Sequence, residues 1–543
     1  MKTDPQQNTS LRAKKVLVVD DFFNFRLTMK NMLRSWGALY LDDVATGEEA
    51  IGKMAVRRYD IILCDYNLGQ GKSGQQVLEE GKYRDYIHYS TIFIIVTAEN
   101  TLEMIMGAAE YQPDDYIMKP FPKELLEKKI KHLIEKKENL AQIEKAMAVK
   151  DYSSAVSLCD DLIAKSPRNL SEIMKLKGEI LLKNGAYQEA ADFYDKILLM
   201  GNVAWAALGR GKTCLMTGQY YQAKNIFESI IAKNDKIMPA YDYLAKTLVK
   251  LDNHGDAQAV LMKATTISPH AILRQKNLGD IAYRNEDYPM AENAYKSAVK
   301  LGEYSCYKSP ADYTNLAKAF VQGDNPEEGL TVLARARKSF PEESNAGLNI
   351  SLTESYVYKK LGKDNEARSA LNTAQKIMED LAGQIPVDLK LELARAYIVN
   401  GDNKKGTEII RQVVQDNHDN NEMLDNVRTV FRETGMEESG RKIIEECTQE
   451  IIRLNNEGVK LASDGKLTEA IAYFERAADR LPDNKIINAN AAQILMLFMK
   501  DNGVSERSLN NVKTYLDRVR KIDENFKDFP MLLAMYNELV PED

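Results

Sequence analysis

Short hydrophobic runs alternate with amphipathic stretches of helical length over the first 120 residues. The five runs are V-L-V-V-D ending at Asp20, A-L-Y-L-D-D-V near residues 38–44, I-I-L-C-D ending at Asp65, I-F-I-I-V-T ending at Thr97, and Y-I-M-K-P at residues 116–120. Runs that are apolar on both faces and separated by helices predict a doubly wound, five-stranded parallel α/β sheet. Ligands of such sheets bind beyond the carboxyl ends of the strands.

After Pro122 the pattern becomes helical. No glycine or proline occurs before Pro167, and apolar residues recur at steps of three, four or seven from Leu126 to Met147. This pattern predicts that the last helix of the α/β domain runs on as a rigid connector. The alternative is a solvated, charged linker with a break near Lys136.

The rest of the chain is periodic. Small residues recur at spacings of 35, 33, 34 and 34, at Ala155, Ala190, Ala223, Ala257 and Ala291. Another small residue often lies twelve positions earlier, which lets two antiparallel helices approach closely. Spacings of 38, 38 and 39 between residues 291 and 406 indicate lengthened turns or helices there. The period predicts about ten or eleven helical hairpins, which we call the repeat array.

Side chains that can bind metal or take part in catalysis lie at the ends of the predicted strands. Asp20 and Asp21 end the first run, Asp65 the third, Thr97 the fourth and Lys119 the fifth. If the first and third strands are neighbours, three carboxylates converge, which like-charge repulsion disfavours unless a cation joins them. Oxygen ligands with room for water and phosphate suit Mg²⁺. The alternative, in which the aspartates only cap a helix and form a turn, leaves the other strand ends unexplained.

This set of residues resembles the receiver domain of bacterial two-component response regulators, over residues 14 to about 135. The resemblance implies that Asp65 accepts a phosphoryl group from a histidine kinase or a phosphotransfer protein. It implies that Asp20 and Asp21 hold Mg²⁺, together with Asp65 and the backbone carbonyl of Asn67. Neither the kinase nor the lifetime of the phosphate follows from it.

The same resemblance implies roles for the later strand ends. Thr97 would contact the phosphoryl oxygens, Lys119 would pair with the new charge, and Tyr116 would be the aromatic that rotates when Thr97 shifts. One departure concerns the loop Y-N-L-G-Q-G-K-S-G after Asp65, which lacks the usual proline and carries one extra residue before Gly74. Its pairing with the third helix is therefore left open.

The repeat array resembles tetratricopeptide repeats, with residues 451–484 matching best. Such an array has no catalytic chemistry of its own and offers a long surface for protein binding. Asparagines at an equivalent position, opposite the packing stripe, would face its groove: Asn277, Asn315, Asn426, Asn456 and Asn490. Amides both donate and accept hydrogen bonds, which suits an extended peptide. Alternatively, asparagine occurs at this position only as a polar residue that faces solvent and binds no peptide.

The amino-acid composition limits the classes of function and the cellular compartment that we expect for this protein. A net charge of -7 argues against a general nucleic-acid binder. The five cysteines are widely separated and lack metal-ligand spacing, which favours a reducing, cytoplasmic compartment. No apolar run approaches the roughly 18 residues of a membrane span, so we expect no membrane insertion.

The predicted organisation is a disordered tail at residues 1–13, a flavodoxin-like receiver core at 14–122, the last receiver helix and connector at 123–150, an all-α superhelical solenoid at 138–523, and a capping helix and tail at 524–543. No further enzymatic motif appears, so catalysis is limited to Mg²⁺-dependent phosphotransfer and autodephosphorylation at Asp65. The sequence thus predicts a response regulator of a phosphorelay whose output is protein binding. Alternatives are an array that acts as inhibitor or phosphatase accessory of a signalling enzyme or regulator, or a receiver that serves only as a dimerisation scaffold. The oligomeric state stays open, with a homodimer among the options.

Overall fold

A computed structural model describes residues 11–98, 111–137, 140–165, 167, 169–201, 203–341, 344–381, 385–524 and 526–540. The chain divides into two compact units, Met1–Ala319 and Phe320–Asp543. None of the described helices combines the length and the apolar character that a bilayer crossing requires.

The first unit begins with a parallel sheet. Its strands are β1 (Lys15–Val19), β2 (Tyr40–Val44), β3 (Ile61–Asp65), β4 (Ile92–Thr97) and β5 (Asp115–Met118). All neighbouring pairs are parallel, and the order is β2-β1-β3-β4-β5. β3 and β4 are buried along almost their whole length, because helices cover both faces of the sheet. The predicted doubly wound sheet is confirmed.

Four described helices cover this sheet: α1 (Phe23–Ser35), α2 (Gly47–Val56), α3 (Gly74–Tyr83) and α4 (Lys123–Lys137). The apolar faces of α2 and α3 pack on one side of the sheet, and those of α1 and α4 pack on the other. Leu11 belongs to the second of these cores and is 3% exposed, within a 3₁₀ helix at Leu11–Ala13. These three residues are therefore ordered, although the sequence assigned them to a disordered tail. Residues 1–10 and 99–110 lie outside the described residues.

Paired helices make up the rest of the first unit: α5 (Leu140–Ala148), α6 (Tyr152–Ala164), α7 (Leu170–Lys183), α8 (Tyr187–Met200), α9 (Ala204–Met216), α10 (Tyr220–Lys233), α11 (Met238–Lys250), α12 (His254–Ile267), α13 (Ile272–Arg284), α14 (Tyr288–Leu301) and α15 (Pro310–Gln322). The last of these helices crosses into the second unit. The point where α4 and α5 join, residues 138–139, lies outside the described residues.

The second unit continues the same architecture: α16 (Pro326–Ser339), α17 (Ser344–Lys360), α18 (Asp364–Asp380), α19 (Val387–Val399), α20 (Asn403–Asp416), α21 (Asn421–Glu433), α22 (Glu437–Ser463), α23 (Leu467–Arg480), α24 (Lys485–Asn502), α25 (Glu506–Ile522) and α26 (Phe529–Leu539). The predicted all-helical array is confirmed. α26 lies in the predicted capping segment, and its Leu532 is buried in the C-terminal core.

The small residues of the repeat pattern lie where helices approach closely. Ala155, Ala190, Ala223, Ala257 and Ala291 are all 0% exposed. A Cβ at Gly178 would lie 2.7 Å from the ring of Tyr194, and a Cβ at Gly279 would lie 2.5 Å from the ring of Tyr295, each on the second helix of the same hairpin. An aromatic ring on one helix therefore fills the space that glycine leaves on the other.

The irregular middle of the array has two structural causes. Residues 302–309 separate α14 from α15, and α17 and α18 are each 17 residues long. Further on, the best-matching repeat begins at residue 451, but α22 is one helix of 27 residues that passes through this position and contains both Gly440 and Gly458. No glycine or proline lies between those two positions, so the chain has no signal to leave the helix.

Candidate functional site

Three carboxylates meet at the carboxyl edge of the sheet. β1 and β3 are neighbours with Val19 opposite Cys64, so the residues that follow, Asp20 and Asp65, lie side by side. One carboxylate oxygen from each of Asp20, Asp21 and Asp65 lies within 4.8 Å of the other two. Asp20 and Asp65 are buried, and Asp21 is exposed. Because all donors are oxygens, the cluster fits a hard divalent cation.

Lys119 completes this cluster from the end of β5. Its Nζ donates to Asp20 Oδ2 at 2.6 Å and to Asp65 Oδ2 at 2.5 Å. The ammonium also lies 4.1 Å from the centre of the Phe25 ring. Burial acts to lower the pKa of Lys119, but its hydrogen bonds and ion pairs with the two carboxylates outweigh burial, and the pKa is raised. Lys119 is therefore a fixed positive charge beside Asp65.

The electrostatics of Asp65 reflect the same arrangement. Burial raises the pKa of its carboxyl, Lys119 lowers it, and the charge of Asp20 raises it, so that the net direction is upward. A bound divalent cation acts in the opposite direction, because it stabilises the carboxylate form. The cation site and the pKa of Asp65 are thus coupled.

The loop after Asp65 is short and tightly held. The Asn67 N–H donates to Asp65 Oδ1 at 3.3 Å. Positive φ angles of 74° at Gly69 and 104° at Gly71 turn the chain back toward the sheet. At the first residue of α3, a Cβ on Gly74 would lie 2.0 Å from the Asp65 carbonyl oxygen. The third helix therefore starts directly against the backbone of Asp65, and the two turning glycines accommodate the extra residue.

Thr97 and Tyr116 lie on adjacent strands. Thr97 is the last residue of β4, and its carbonyl accepts from the Lys119 N–H at 2.8 Å. Tyr116 is half-buried on β5, opposite Ile95. Its hydroxyl oxygen is buried and has no hydrogen-bond partner among the described residues, and burial raises its pKa.

The five asparagines predicted for the groove differ in their surroundings. Asn277, Asn315, Asn426 and Asn490 are half-buried and Asn456 is exposed. The Asn490 amide donates to Asn455 Oδ1 at 2.5 Å. None of the five is fully buried, so their assignment to a peptide groove stays a prediction.

Two family models match the chain. Residues 16–131 match the response regulator receiver domain, and residues 140–207 match a tetratricopeptide repeat. The chain carries a receiver domain followed by tetratricopeptide repeats. The receiver domain contains every strand-end residue of the carboxylate and lysine cluster described above.

Known proteins resemble one or the other part of the chain. Chemotaxis protein CheY of Pseudomonas aeruginosa is 29% identical over 122 residues, which cover 22% of this chain and 97% of that protein. Chemotaxis protein CheY-3 of Vibrio cholerae is also 29% identical over 122 residues, covering 22% of this chain and 92% of that protein. Among solved structures, the C-terminal part of a TPR repeat-containing protein from Cytophaga hutchinsonii aligns at 15% identity with a TM-score of 0.34, covering 47% of this chain and 99% of that one.

The sequence did not predict several contacts near the carboxylate and lysine cluster. Phe25, which supports Lys119, lies on α1 rather than at a strand end, and nothing in its spacing marks it. Residues 302–309 contact the receiver domain, for example through the Ser305 hydroxyl and Glu79. The spacing of 38 between Ala291 and Gly329 was a signal for this segment, although it does not indicate what the segment contacts.

Proposed function

We propose that this protein is a response regulator in which Asp65 accepts a phosphoryl group from a histidine kinase or a phosphotransfer protein. The phosphorylation state would control which proteins the repeat array binds. The convergence of Asp20, Asp21 and Lys119 on one buried aspartate at a strand end carries this proposal. Receiver domains imply a phosphodonor, and repeat arrays of this type imply a protein partner.

The reaction is a displacement at phosphorus. An Asp65 carboxylate oxygen attacks, the O–P bond forms, and the P–N bond of the donor phosphohistidine breaks with its electron pair going to the imidazole. Asp20, Asp21, Asp65 and the Asn67 carbonyl would hold Mg²⁺, which supplies charge neutralisation for the phosphoryl oxygens. Lys119 already lies at hydrogen-bond distance from Asp65 and would pair with a phosphoryl oxygen. Thr97 would contact another.

The conformational change that follows phosphorylation of Asp65 would begin at Thr97 and Tyr116. The unpartnered hydroxyl of Tyr116 supports this view, since no hydrogen bond among the described residues holds the side chain in its place. The coupling free energy between two sites, here phosphorylation of Asp65 and partner binding by the repeat array, is typically about 1 to 3 kcal/mol, which is enough to change the occupancy of a binding site.

The first test measures acid-labile phosphate after incubation with acetyl phosphate and Mg²⁺, in which the P–O bond breaks and acetate leaves. Wild type is expected to incorporate phosphate and Asp65→Asn is not. Asp60→Asn is a matched control, because Asp60 lies just before β3, at the opposite end of the same strand, where its carboxylate accepts from the Lys15 N–H. Equal labelling of Asp65→Asn would refute the assignment.

The second test compares proteins captured by wild type and Asp65→Asn, each treated with acetyl phosphate. A partner retained equally by both refutes phosphorylation control. A captured signalling enzyme whose turnover changes on binding would instead support the array as an inhibitor or phosphatase accessory.

A further inference from the structure

Residues 302–309 form an unusually long connection between two hairpins of the array. The corresponding connections between α10 and α11 and between α12 and α13 are residues 234–237 and 268–271. The longer connection explains the spacing of 38 between the small residues at 291 and 329. We call residues 302–309 the docking segment, because they contact the receiver domain of the same chain.

A buried hydrogen bond lies at the centre of this contact. The Ser305 hydroxyl donates to Glu79 Oε2 at 2.9 Å, and the other oxygen of Glu79 accepts from the Tyr111 hydroxyl at 2.7 Å. Ser305 and Glu79 are 8% and 4% exposed. A buried carboxylate costs free energy unless its oxygens are satisfied, so the two hydroxyl groups make a specific contact.

Further contacts from the receiver surround this hydrogen bond. The Lys72 ammonium donates to the Tyr304 carbonyl and lies 3.0 Å from Glu80 Oε2. The rings of Tyr83 and Tyr307 meet edge to face with centres 5.3 Å apart. The docking segment therefore contacts the loop before α3 and the C-terminal half of that helix.

The array holds the other side of the docking segment in place. The Lys276 ammonium on α13 donates to the Tyr307 carbonyl and lies 2.7 Å from Asp312 on α15. Within the segment, the Tyr307 N–H donates to the Ser305 hydroxyl oxygen at 3.1 Å. Because two array helices anchor it, the segment is a preformed surface rather than a loose loop.

The receiver side of the contact leads directly to the phosphoacceptor. Only residues 66–73 separate Asp65 from α3, and Gly74 packs against the Asp65 carbonyl. Lys72 is the only lysine of this loop. The Lys72 ammonium is held by the Tyr304 carbonyl and the Glu80 carboxylate. A phosphoryl group on Asp65 would add negative charge at the start of the loop and would compete with these two groups for the ammonium.

We propose that the docking segment binds α3 of the chain's own receiver domain and that phosphorylation of Asp65 releases it. This proposal rests on the proposed function for its trigger. The signal then leaves the receiver through the loop after Asp65 and α3, in addition to the path through Thr97 and Tyr116.

Cys306, inside the docking segment, is a natural probe of this contact. It is half-buried, whereas Cys64, Cys159, Cys214 and Cys447 are buried. Burial raises the pKa of the Cys306 thiol to about 12, and the nearby carboxylates of Glu79 and Glu80 act in the same direction. Release of α3 removes both influences, and alkylation becomes faster because the thiolate is the reactive form.

The experiment measures the alkylation rate of Cys306 by iodoacetamide in the full chain, with peptide mass spectrometry. Tyr83→Ala is expected to raise this rate about threefold to tenfold, the range that loss of one aromatic contact produces. Lys72→Ala is a second variant that weakens the same contact. Tyr221→Ala is the control, since Tyr221 is an exposed tyrosine on α10, and it is expected to alkylate like wild type. Unchanged rates in both test variants would overturn the docking surface.

The trigger is tested by adding acetyl phosphate and Mg²⁺ and measuring phosphate at Asp65 in the same samples. Faster alkylation of Cys306 in the phosphorylated fraction supports release. Incorporation of phosphate with an unchanged rate overturns release and leaves the proposed function intact. Failure to incorporate phosphate overturns the proposed function and the trigger, while the Tyr83 and Lys72 variants still decide whether the docking surface exists.

Discussion

Asp416 is a buried carboxylate at an unfavourable place in the second unit. It is the last residue of α20, where the negative end of the helix dipole disfavours a second negative charge, and it is 5% exposed. Burial raises its pKa from 3.8 to about 6, with a further contribution from the charge of Asp483. Gln412 Nε2 donates to Asp416 Oδ1 at 2.9 Å. Asp416→Asn keeps this acceptor and removes the charge.

The expected gain in stability follows from the pKa difference. At neutral pH the carboxyl is ionised in both states, and a shift of about two units corresponds to about 3 kcal/mol of cost in the folded state. Because the pKa is raised on folding, the folded state holds the proton more tightly, and this cost appears as the pH rises through about 4 to 6. We expect Asp416→Asn to stabilise the second unit by about 2 to 3 kcal/mol near pH 7.5 and by about half as much near pH 5.

Scanning calorimetry of the full chain at the two pH values measures this effect. A gain of this size raises the melting temperature of a unit of this length by roughly 4 to 12 °C. Asp501→Asn is the control, because Asp501 is an exposed aspartate near the end of α24, and its effect should stay within about 0.5 kcal/mol. A gain that does not depend on pH, or a loss of stability near pH 7.5, would show that ionisation of Asp416 is not the cause.

Three further substitutions test the site and the array. Gly74→Ala forces a Cβ against the Asp65 carbonyl, so we expect a lower melting temperature and reduced phosphate incorporation. Lys119→Ala removes the cation that competes for the carboxylates, and isothermal titration calorimetry should show tighter Mg²⁺ binding. Gly458→Ala places a Cβ 2.4 Å from the Phe474 ring and should destabilise the second unit by about 1 to 3 kcal/mol in a denaturant titration.

Each of these variants has a matched control. Gly52→Ala and Gly255→Ala add a methyl group that meets no atom within 4 Å beyond the adjacent residues and the backbone of its own helix, and neither should lower stability as its test variant does. Lys128→Ala removes an exposed lysine of α4 and should leave Mg²⁺ affinity unchanged. Weaker Mg²⁺ binding by Lys119→Ala would contradict the competition argument.

The sequence predicted the sheet and the strand-end cluster because both follow from local patterns. A buried strand appears in the sequence as an apolar run. All strands of a parallel sheet end at the same edge, so the residues that end these runs, among them Asp20 and Asp65, lie close together. Contacts between distant segments leave no such local pattern. Ser305 and Glu79 lie more than 200 residues apart, and the lengthened spacing around residue 302 indicates an insertion without indicating a partner. Phe25 and Leu11 were missed for the same reason, since only the tertiary fold brings them into the core.

The continuous helix α22 has a practical consequence for dividing the array into fragments. The repeat pattern places a boundary near residue 451, but there the chain is in the middle of a helix that spans Glu437–Ser463, about 40 Å at the usual helical rise. A cut at that point leaves helix ends unsatisfied on both fragments and exposes Ile451, which is buried in the C-terminal core. A cut at Gly465, in the turn before α23, keeps the whole of helix α22 in one fragment. Mapping of a binding partner by truncation should therefore begin there.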